Sequence, residues 1–290
     1  MIKRLISTLK PVVESIPLLA RIYRYTRDSW QINENPKETL LGFKFIGNKA
    51  MANGTFEPEE TELVKKALCT TNLFVNIGAN IGYYCCIALN LNKYVIAFEP
   101  IHLNLQYLLK NIKANSWESH IEVYPMALSN KVGVIEIYGG ATGASLVKGW
   151  AGTPENYVRL VPTTTLDNAL SDRIQGQDCF ILVDIEGAEQ LMLEGAHKIV
   201  SLNPKPKWMV EISVSEHQPK GTVINPTLIS TFNIFWKNGY EARTADKQFR
   251  VVHPEELHKI VASGVDTLYT HNFFFFDKRI SSEFIAQMGY

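Results

Sequence analysis

Short apolar runs alternate with helical patterns along most of this chain, and this alternation limits the possible folds more than any other feature. The helical stretches place apolar residues three and four positions apart. Because the apolar runs are continuous rather than alternating, they are typical of strands buried on both faces, in a mostly parallel sheet covered by helices. The sequence therefore predicts a doubly wound α/β fold. The strand-like runs are "LFVNI", "YVIAFE", "IEVYPMAL", "CFILVDI", "KWMVEIS" and "HNFFFFD".

One region, residues 132–165, interrupts this pattern. Its runs "VGVIEIYGG" and "YVRLVP" predict two antiparallel strands, joined by a polar, glycine-rich loop. Three aromatic residues in and beside the loop are candidates for stacking on a sugar: Tyr138, Trp150 and Tyr157. We therefore expect a lead segment, residues 1–55, that packs on one domain, residues 56–290, with an inserted hairpin at about 132–165.

The charge balance and the cysteines limit the classes of partner. Lys plus Arg and Asp plus Glu number 29 each, so the chain has no broad electrostatic attraction to nucleic acid. The four cysteines form no C-x-x-C motif and have no histidine cluster beside them, which disfavours a zinc site. Unpaired cysteines of this kind fit a reducing compartment, so we expect a cytoplasmic protein. The sequence leaves the oligomeric state open.

The first 30 residues are rich in basic side chains and short apolar patches. Pro11 and Pro17 interrupt them, and they lack the pattern of a signal peptide. No apolar run approaches the roughly 20 residues that span a bilayer. Two interpretations remain, a helix on the membrane surface or two short helices packed on the domain, and the second is favoured. Peripheral membrane contact is therefore the alternative expectation.

The stretch "LFVNIGANIGYY" combines a buried strand, a glycine turn and the start of a helix. The dinucleotide fingerprint G-x-G-x-x-G is absent here. Asn tolerates positive φ better than most residues, so Asn80 can replace a middle glycine. The turn from Gly78 to Gly82 is therefore expected to face a ligand that approaches the backbone without bringing a diphosphate.

Glu99 ends the next predicted strand, 21 residues after Gly78. An acid at this position usually accepts hydrogen bonds from the two hydroxyls of a ribose. A ribose without a pyrophosphate suggests S-adenosylmethionine. The alternative is a solvated carboxylate at the end of a strand.

Several of these motifs, in this order and spacing, resemble the FkbM-type S-adenosylmethionine-dependent methyltransferases. The resemblance runs from about Phe56 to about Ile212. It implies a class I methyltransferase-like, seven-stranded sheet with an antiparallel last strand, and transfer of a methyl group, usually to oxygen. The motifs are "GTFEPEE", "FVNIGANIGYY", "AFEP", "PMALSNKVG", "TTLDN", "LVDIEGAEQLMLEGA" and "MVEIS".

The resemblance also implies roles for residues at the cofactor site. The turn holds the methionine part of the cofactor, Glu99 holds the ribose, and the residues after the third strand lie at the adenine. The cofactor-binding set comprises Asn76, Gly78, Ala79, Asn80, Gly82, Glu99, Pro100, Ala127 and Leu128.

Two positions depart from the family pattern. The family usually has Asp where this chain has Asn76, and that carboxylate would help to hold the ammonium group of the cofactor. The family also favours Lys at the position of Val183. Both departures support an alternative in which the chain keeps the fold and the binding site but not turnover.

Three carboxylates are candidates for the chemistry: Asp184, Glu186 and Glu211, which end or follow neighbouring strands. Asp184 is the favoured general base for an acceptor hydroxyl. A Mg²⁺-like ion held by two or three of these groups is a second interpretation. A structural role at a helix N-terminus or in a loop is a third. His217, just beyond the fifth strand, is a further candidate base.

The function expected from the sequence is S-adenosylmethionine-dependent O-methylation of a hydroxyl on a small-molecule or glycan acceptor, such as a sugar, a glycolipid or another secondary metabolite. The alternative enzyme is a nicotinamide-dependent oxidoreductase. It accounts for Gly78 and Glu99 but not for the missing phosphate fingerprint.

Overall fold

The structure is a computed structural model that describes residues 35–140, 143–170 and 172–290. The predictions for the first 34 residues, both the short packed helices and the helix on the membrane surface, lie outside the described residues. Within the described residues, no helix is long and apolar enough to cross a membrane.

The centre of the fold is a seven-stranded sheet. Its strand order is β11-β12-β10-β9-β3-β4-β5, and β12 runs antiparallel to both of its neighbours. The other neighbouring pairs are parallel. This confirms the predicted α/β fold with a mostly parallel sheet and an antiparallel last strand. The strands are β3 (Leu73–Ile77), β4 (Tyr94–Phe98), β5 (Ile121–Tyr124), β9 (Cys179–Val183), β10 (Lys207–Glu211), β11 (Tyr240–Thr244) and β12 (Asn272–Asp277).

The sheet contains one strand, β11, that the apolar runs did not indicate. Its sequence "YEART" alternates buried and half-buried residues, and Arg243 pairs with Glu241 on its outer side. A strand with one apolar face has apolar residues at every second position, so its sequence shows no continuous apolar run. The number of strands, seven, is therefore expected from the family resemblance and not from the pattern of this segment.

The predicted third strand is divided in the structure. β5 ends at Tyr124, and Met126 N–H donates to the Tyr124 carbonyl in a tight turn around Pro125. Pro125 has no N–H to continue a ladder. Ala127–Leu128 then form β6, which belongs to a second sheet.

That second sheet is the inserted region, with strand order β6-β8-β7. β7 (Gly133–Tyr138) and β8 (Val158–Thr164) are antiparallel, as predicted, and β6 is parallel to β8. The Ser129 N–H donates to the Thr164 carbonyl, and the Ser129 hydroxyl bonds the Thr163 hydroxyl at 2.8 Å. The insert is thus fixed to the domain at the chain position where β6 ends.

Helices cover both faces of the large sheet, and successive residues of each strand pack into opposite cores. On β3, Val75 and Ile77 enter one apolar cluster, while Phe74 enters the other. The helices of the described residues are α1 (Lys49–Ala52), α2 (Pro58–Cys69), α3 (Tyr83–Asn90), α4 (His102–Ala114), α5 (Leu166–Leu170), α6 (Glu189–Leu193), α7 (His197–Val200), α8 (Leu228–Lys237), α9 (Pro254–Ser263) and α10 (Ser281–Met288).

The predicted helix "EQLMLEGAHKIV" is two short helices, α6 and α7. Gly195 separates them, and a Cβ at this position would lie 2.2 Å from the Ser129 carbonyl oxygen. The chain therefore breaks where the helix meets the end of β6.

The described part of the lead segment, residues 35–55, contains α1 and a two-stranded sheet of β1 (Lys37–Glu38) and β2 (Lys44–Phe45). Asn111 of α4 is fully buried and bonds both backbone groups of Ile46 and the carbonyl of Ile81. One side chain thus connects this segment to α4 and to the glycine turn after β3.

Candidate functional site

A cleft of about 580 Å³, counting space open to solvent, lies at the carboxyl ends of β3, β4 and β9. This is where parallel sheets bind ligands. The insert forms part of its wall. Its lining residues are Ile77, Gly78, Asn80, Phe98, Glu99, Pro100, Ile101, Asn104, Met126, Ala127, Leu128, Ile137, Ala144, Leu146, Asp184, Ile185 and Glu186.

The turn from Gly78 to Gly82 uses all five of its backbone N–H groups inside the protein. This is the opposite of a phosphate-binding loop, whose N–H groups point at the ligand. The acceptors are the Phe98 carbonyl for both Gly78 and Ala79, Glu99 Oε2 for Asn80, Asn80 Oδ1 for Ile81, and the Ala79 carbonyl for Gly82.

The two glycines of the turn are required by the packing of the protein itself. Gly78 has φ +84°, and a Cβ there would lie 1.8 Å from the Asp184 carbonyl oxygen. Gly82 has φ +89°, and its Cβ would lie 2.4 Å from Leu108 Cδ1 of α4. Asn80 adopts φ +51°, the left-handed conformation that its tolerance of positive φ predicted. Close contacts with the Asp184 backbone and with α4 therefore require both glycines, and the approach of a ligand to this turn stays a prediction.

Glu99 connects the turn to the start of α4. It is 3% exposed; its Oε2 accepts from Asn80 N–H at 2.7 Å, and its Oε1 accepts from Ile101 N–H at 2.7 Å and from Asn104 Nδ2 at 3.3 Å. Burial raises its pKa to about 7, and these hydrogen bonds oppose the rise. A carboxylate accepts about four hydrogen bonds, so one position, on Oε2, remains. The predicted contact of Glu99 with the two ribose hydroxyls stays a prediction.

The predicted cofactor residues divide into two groups. Gly78, Asn80, Glu99, Pro100, Ala127 and Leu128 line the cleft. Asn76, Ala79 and Gly82 are buried behind the turn and do not line it.

Asn76 takes part in packing between β3 and α3. Its side chain is 2% exposed, and Nδ2 donates to Cys85 Sγ at 3.4 Å. Burial holds the Cys85 thiol pKa at about 12, so this sulfur remains protonated. Val183, the other departure from the family pattern, is fully buried in the same cluster as Val75 and Ile77. Neither side chain forms part of the cleft wall.

The three predicted catalytic carboxylates lie at one edge of the sheet. Burial, and then the charge of Glu186, raise the pKa of Asp184 well above its usual value. Burial, and then the charge of Asp184, raise the pKa of Glu211 in the same direction. Asp184 lines the cleft and Glu211 does not. Within the described residues, neither carboxylate has a hydrogen-bond or ion-pair partner, so Asp184 is available to a ligand in the cleft.

Glu186 occupies a different environment, because the insert holds it. It has φ +54°, and its carboxylate accepts from Trp150 Nε1 at 2.7 Å. Trp150 is only 3% exposed, so the prediction that it stacks on a sugar is wrong. Tyr138 and Tyr157 are half-buried and bond to Glu136 and Arg159, respectively.

His217, the other candidate base, packs beside Trp150. The ring centroids are 6.2 Å apart, His217 is exposed, and its carbonyl accepts from Ala151 N–H at 2.7 Å. It does not line the cleft. Across the described ranges, no group of three or more His, Cys, Asp or Glu side chains is arranged to hold a metal ion.

Several residues of this site carry no functional signal in the sequence. Ile137, Ala144 and Leu146 of the insert form a cleft wall, and their sequence signal is only that of a strand and its loop. Glu57, from the motif "GTFEPEE", has φ +41° and accepts from the Tyr84 hydroxyl at 2.7 Å. Its charge also raises the pKa of both Asp184 and Glu211.

The raised pKa values make a prediction about stability. Glu99 and Glu189 have pKa values of about 7 in the folded chain, against an ordinary 4.5. Between these values the folded chain holds protons that the unfolded chain has released, so stability falls as pH rises through this window. We expect a higher melting temperature at pH 6 than at pH 8. Calorimetric scans across this range measure it.

Two variants test whether carboxyl groups with raised pKa values cause this dependence of the melting temperature on pH. Glu211→Gln removes a carboxyl group whose pKa is raised, so it should reduce the slope. Glu118→Gln changes an exposed carboxylate and should leave the slope as it is. A melting temperature that increases steadily from pH 6 to pH 8 would contradict the prediction.

Three solved methyltransferases are among the structures to which this chain is similar. The FkbM methyltransferase from Methylobacillus flagellatus KT is 19% identical with a TM-score of 0.44, and the match covers 71% of this chain and 44% of that one. The precorrin-6y C5,15-methyltransferase from Geobacter metallireducens GS-15 is 13% identical, with a TM-score of 0.39 and coverage of 80% and 92%. The ribosomal protein L11 methylase from Lactobacillus delbrueckii subsp. bulgaricus is 11% identical, with a TM-score of 0.38 and coverage of 67% and 71%.

The present chain spans less than half of the Methylobacillus chain. No curated protein matches the sequence. The family model of the methyltransferase FkbM domain matches residues 76–242, which is more than half of the 290 residues. That range includes the end of β3 with its glycine turn, Glu99, the insert and the carboxylates at the ends of β9 and β10. The chain therefore belongs to the FkbM methyltransferase family.

Proposed function

We propose that this protein is an S-adenosylmethionine-dependent methyltransferase that methylates a hydroxyl group of a neutral acceptor such as a sugar. The observation that carries the proposal is the closed hydrogen-bonding of the glycine turn beside a buried carboxylate, Glu99. A turn with no free N–H cannot bind a diphosphate through its backbone. Glu99 retains one acceptor position, which suits a ribose hydroxyl.

The same geometry disfavours a nicotinamide dinucleotide. Its pyrophosphate would meet the occupied N–H groups of the turn and the carboxylates of Asp184 and Glu186 on the cleft wall. Like charges at short range cost free energy in a partly buried site. The oxidoreductase alternative therefore lacks the anion-binding site that it requires.

The residues of the cleft fit the parts of S-adenosylmethionine. Glu99 would hold the ribose, and the apolar side chains of Met126, Leu128 and Ile137 suit an aromatic base. Asp184 and Glu186 also line the cleft, and a carboxylate there suits a cation. When bound, S-adenosylmethionine supplies an electrophilic methyl group on a positively charged sulfur.

Asp184 is the best-placed general base among the carboxylates. It lines the cleft, and its carboxylate has no hydrogen-bond or ion-pair partner in the described ranges. Glu186 also lines the cleft, but Trp150 occupies one of its oxygens. An acid whose pKa is raised towards the working pH is a stronger base when it is ionised. In this proposal Asp184 takes the proton of the acceptor hydroxyl, and activity rises as pH increases through its raised pKa.

The charges of the rim indicate the class of acceptor. The carboxyl groups of Glu57, Asp184, Glu186 and Glu211 lie near one another here, and none of them forms an ion pair in the described part of the chain. The charges of Glu57 and Glu186 are among the causes that raise the pKa of both Asp184 and Glu211. A phosphorylated or carboxylated acceptor would meet like charges, at a cost of about 1 kcal/mol or more for each close pair. A neutral polyol or sugar meets no such repulsion, and its hydroxyls can donate to these carboxylates.

Binding measurements test the cofactor. In titration calorimetry, S-adenosylmethionine and S-adenosylhomocysteine should bind, whereas NAD and NADP should give no heat of binding. The physical reason is the absence of a free N–H in the turn. Binding of a dinucleotide with no binding of S-adenosylmethionine would reverse the assignment.

Glu99→Gln tests the ribose contact. Glutamine offers one oxygen, so either Asn80 N–H or Ile101 N–H would face an amide NH₂ group. We expect S-adenosylhomocysteine to bind roughly 10–100-fold more weakly, because hydrogen bonds to a charged acceptor are worth about 1.5–3 kcal/mol. The melting temperature without cofactor should also decrease.

A matched control for Glu99→Gln is Glu122→Gln on β5, which loses an ion pair with Arg173 away from the cleft. It should leave cofactor affinity unchanged. Equal affinities for wild type and Glu99→Gln would remove Glu99 from the cofactor site.

Asp184→Asn tests the general base. The change keeps the shape of the side chain and removes its ability to take a proton, so we expect the methyl-transfer rate to fall about 10²- to 10⁴-fold. Affinity for S-adenosylhomocysteine should stay within a few-fold. A panel of neutral sugars and polyols, with phosphorylated counterparts, supplies the acceptor for a methyl-transfer assay.

Asp178→Asn is the control, because Asp178 precedes the same strand at its other end and pairs with Lys207. It should keep the wild-type rate. Full activity of Asp184→Asn with a confirmed acceptor would exclude Asp184 as the base.

A further inference from the structure

The inserted hairpin holds the turn after β9 at two points, both on Glu186. The hydroxyl of Ser145 donates to the Glu186 carbonyl, and the indole Nε1 of Trp150 donates to its carboxylate at 2.7 Å. Ser145 and Trp150 are 1% and 3% exposed. Two buried donors from one segment therefore fix the backbone and the side chain of a residue on the cleft wall.

The indole ring of Trp150 also requires a glycine at the next position. A Cβ on Gly187 would lie 2.5 Å from Trp150 Cζ3 and 2.6 Å from Cε3. Gly187 has φ +92°, which favours glycine in any case. The indole ring therefore packs against the turn only because residue 187 has no side chain.

Glu186 itself has a backbone conformation that the chain would not adopt unaided. A side chain other than glycine in the left-handed region costs roughly 1–2 kcal/mol, and Glu186 has φ +54°. Such a conformation persists where the surroundings hold it, and it is concentrated at functional sites. The bonds from Ser145 and Trp150 are the contacts that can hold it.

We propose that Trp150 is a positioning residue for the methyl-transfer site. It fixes Glu186 against the insert, so that the turn from Asp184 to Gly187 keeps the shape of the cleft and Asp184 is the lining carboxylate left free for the acceptor. This inference rests on the proposed function. It assigns the insert a role in assembling the cleft, beyond covering it.

The test compares three variants by the affinity of S-adenosylhomocysteine. Trp150→Phe keeps an aromatic ring on Gly187 and removes the N–H. We expect roughly tenfold weaker binding, because the turn from Asp184 to Gly187 loses a contact that holds the cleft in its binding shape. Ser145→Ala removes the second bond and should also weaken binding, with a smaller change in packing. Glu186→Gln keeps an oxygen for the indole and should give an intermediate affinity.

Trp208→Phe is the matched control. Trp208 is fully buried in the core of the sheet, and its Nε1 donates to the Tyr240 hydroxyl at 3.4 Å. This variant should lower the melting temperature and leave cofactor affinity unchanged. A role in stability alone would make Trp150→Phe behave in the same way.

NMR tests the hydrogen bond between Trp150 and Glu186 in the absence of cofactor and acceptor. In protein with ¹⁵N-labelled tryptophan, the indole resonance that is missing in Trp150→Phe belongs to Trp150. Glu186→Gln should shift that resonance, because the charge of the acceptor is removed, while the Trp208 resonance stays in place. An unmoved Trp150 resonance would refute the contact.

The two readouts separate the proposals. If wild-type protein does not bind S-adenosylhomocysteine but the Trp150 resonance responds to Glu186→Gln, the proposed function fails and the contact stands. If wild type binds and both Trp150→Phe and Ser145→Ala bind within twofold of it, the positioning role is wrong. Should Trp150→Phe not fold, Ser145→Ala and Glu186→Gln decide the question.

Discussion

The carboxylate of Glu99 is the interaction on which the site depends. It joins the turn after β3 to the start of α4, and it does so with both oxygens from a position that is 3% exposed. A buried carboxylate without partners would be costly, so the hydrogen bonds that satisfy it also fix the turn. Burial still raises its pKa to about 7. The residue that shapes the cleft is therefore also sensitive to pH near neutrality.

The carboxyl ends of β9 and β10 also bring carboxyl groups together, but Asp184 and Glu211 have no hydrogen-bond partners in the described residues. Asp184 follows β9 and Glu211 ends the adjacent strand β10; burial and then the charge of Glu186 raise the pKa of Asp184, and burial and then the charge of Asp184 raise the pKa of Glu211. Protein stability is best served when buried charges have partners. Half-buried carboxylates that have none in the described ranges are typical of sites where a ligand or a proton completes the arrangement. Burying these unpaired carboxyl groups lowers the stability of the fold, and the same groups are the candidates for the proposed chemistry.

The insert adds a wall to the cleft. A class I sheet alone offers an open edge at its carboxyl ends, whereas here β7 and the residues after it add Ile137, Ala144 and Leu146 as a wall. The same segment reaches across to the turn after β9 through Trp150. Because one segment contacts both the adenosine side and the acceptor side of the proposed site, a change in the insert should affect both.

The sequence by itself determined the α/β class, the glycine turn, the acid after the second strand of the large sheet and the carboxylates after β9 and β10. These features are local, since periodicity and spacing along the chain encode them. Only the tertiary structure decided that Asn76 faces Cys85, that Trp150 is buried against Gly187, and that Glu99 has one free acceptor position. Each of these depends on which distant segments meet at a strand end, and no pattern within one segment specifies that contact.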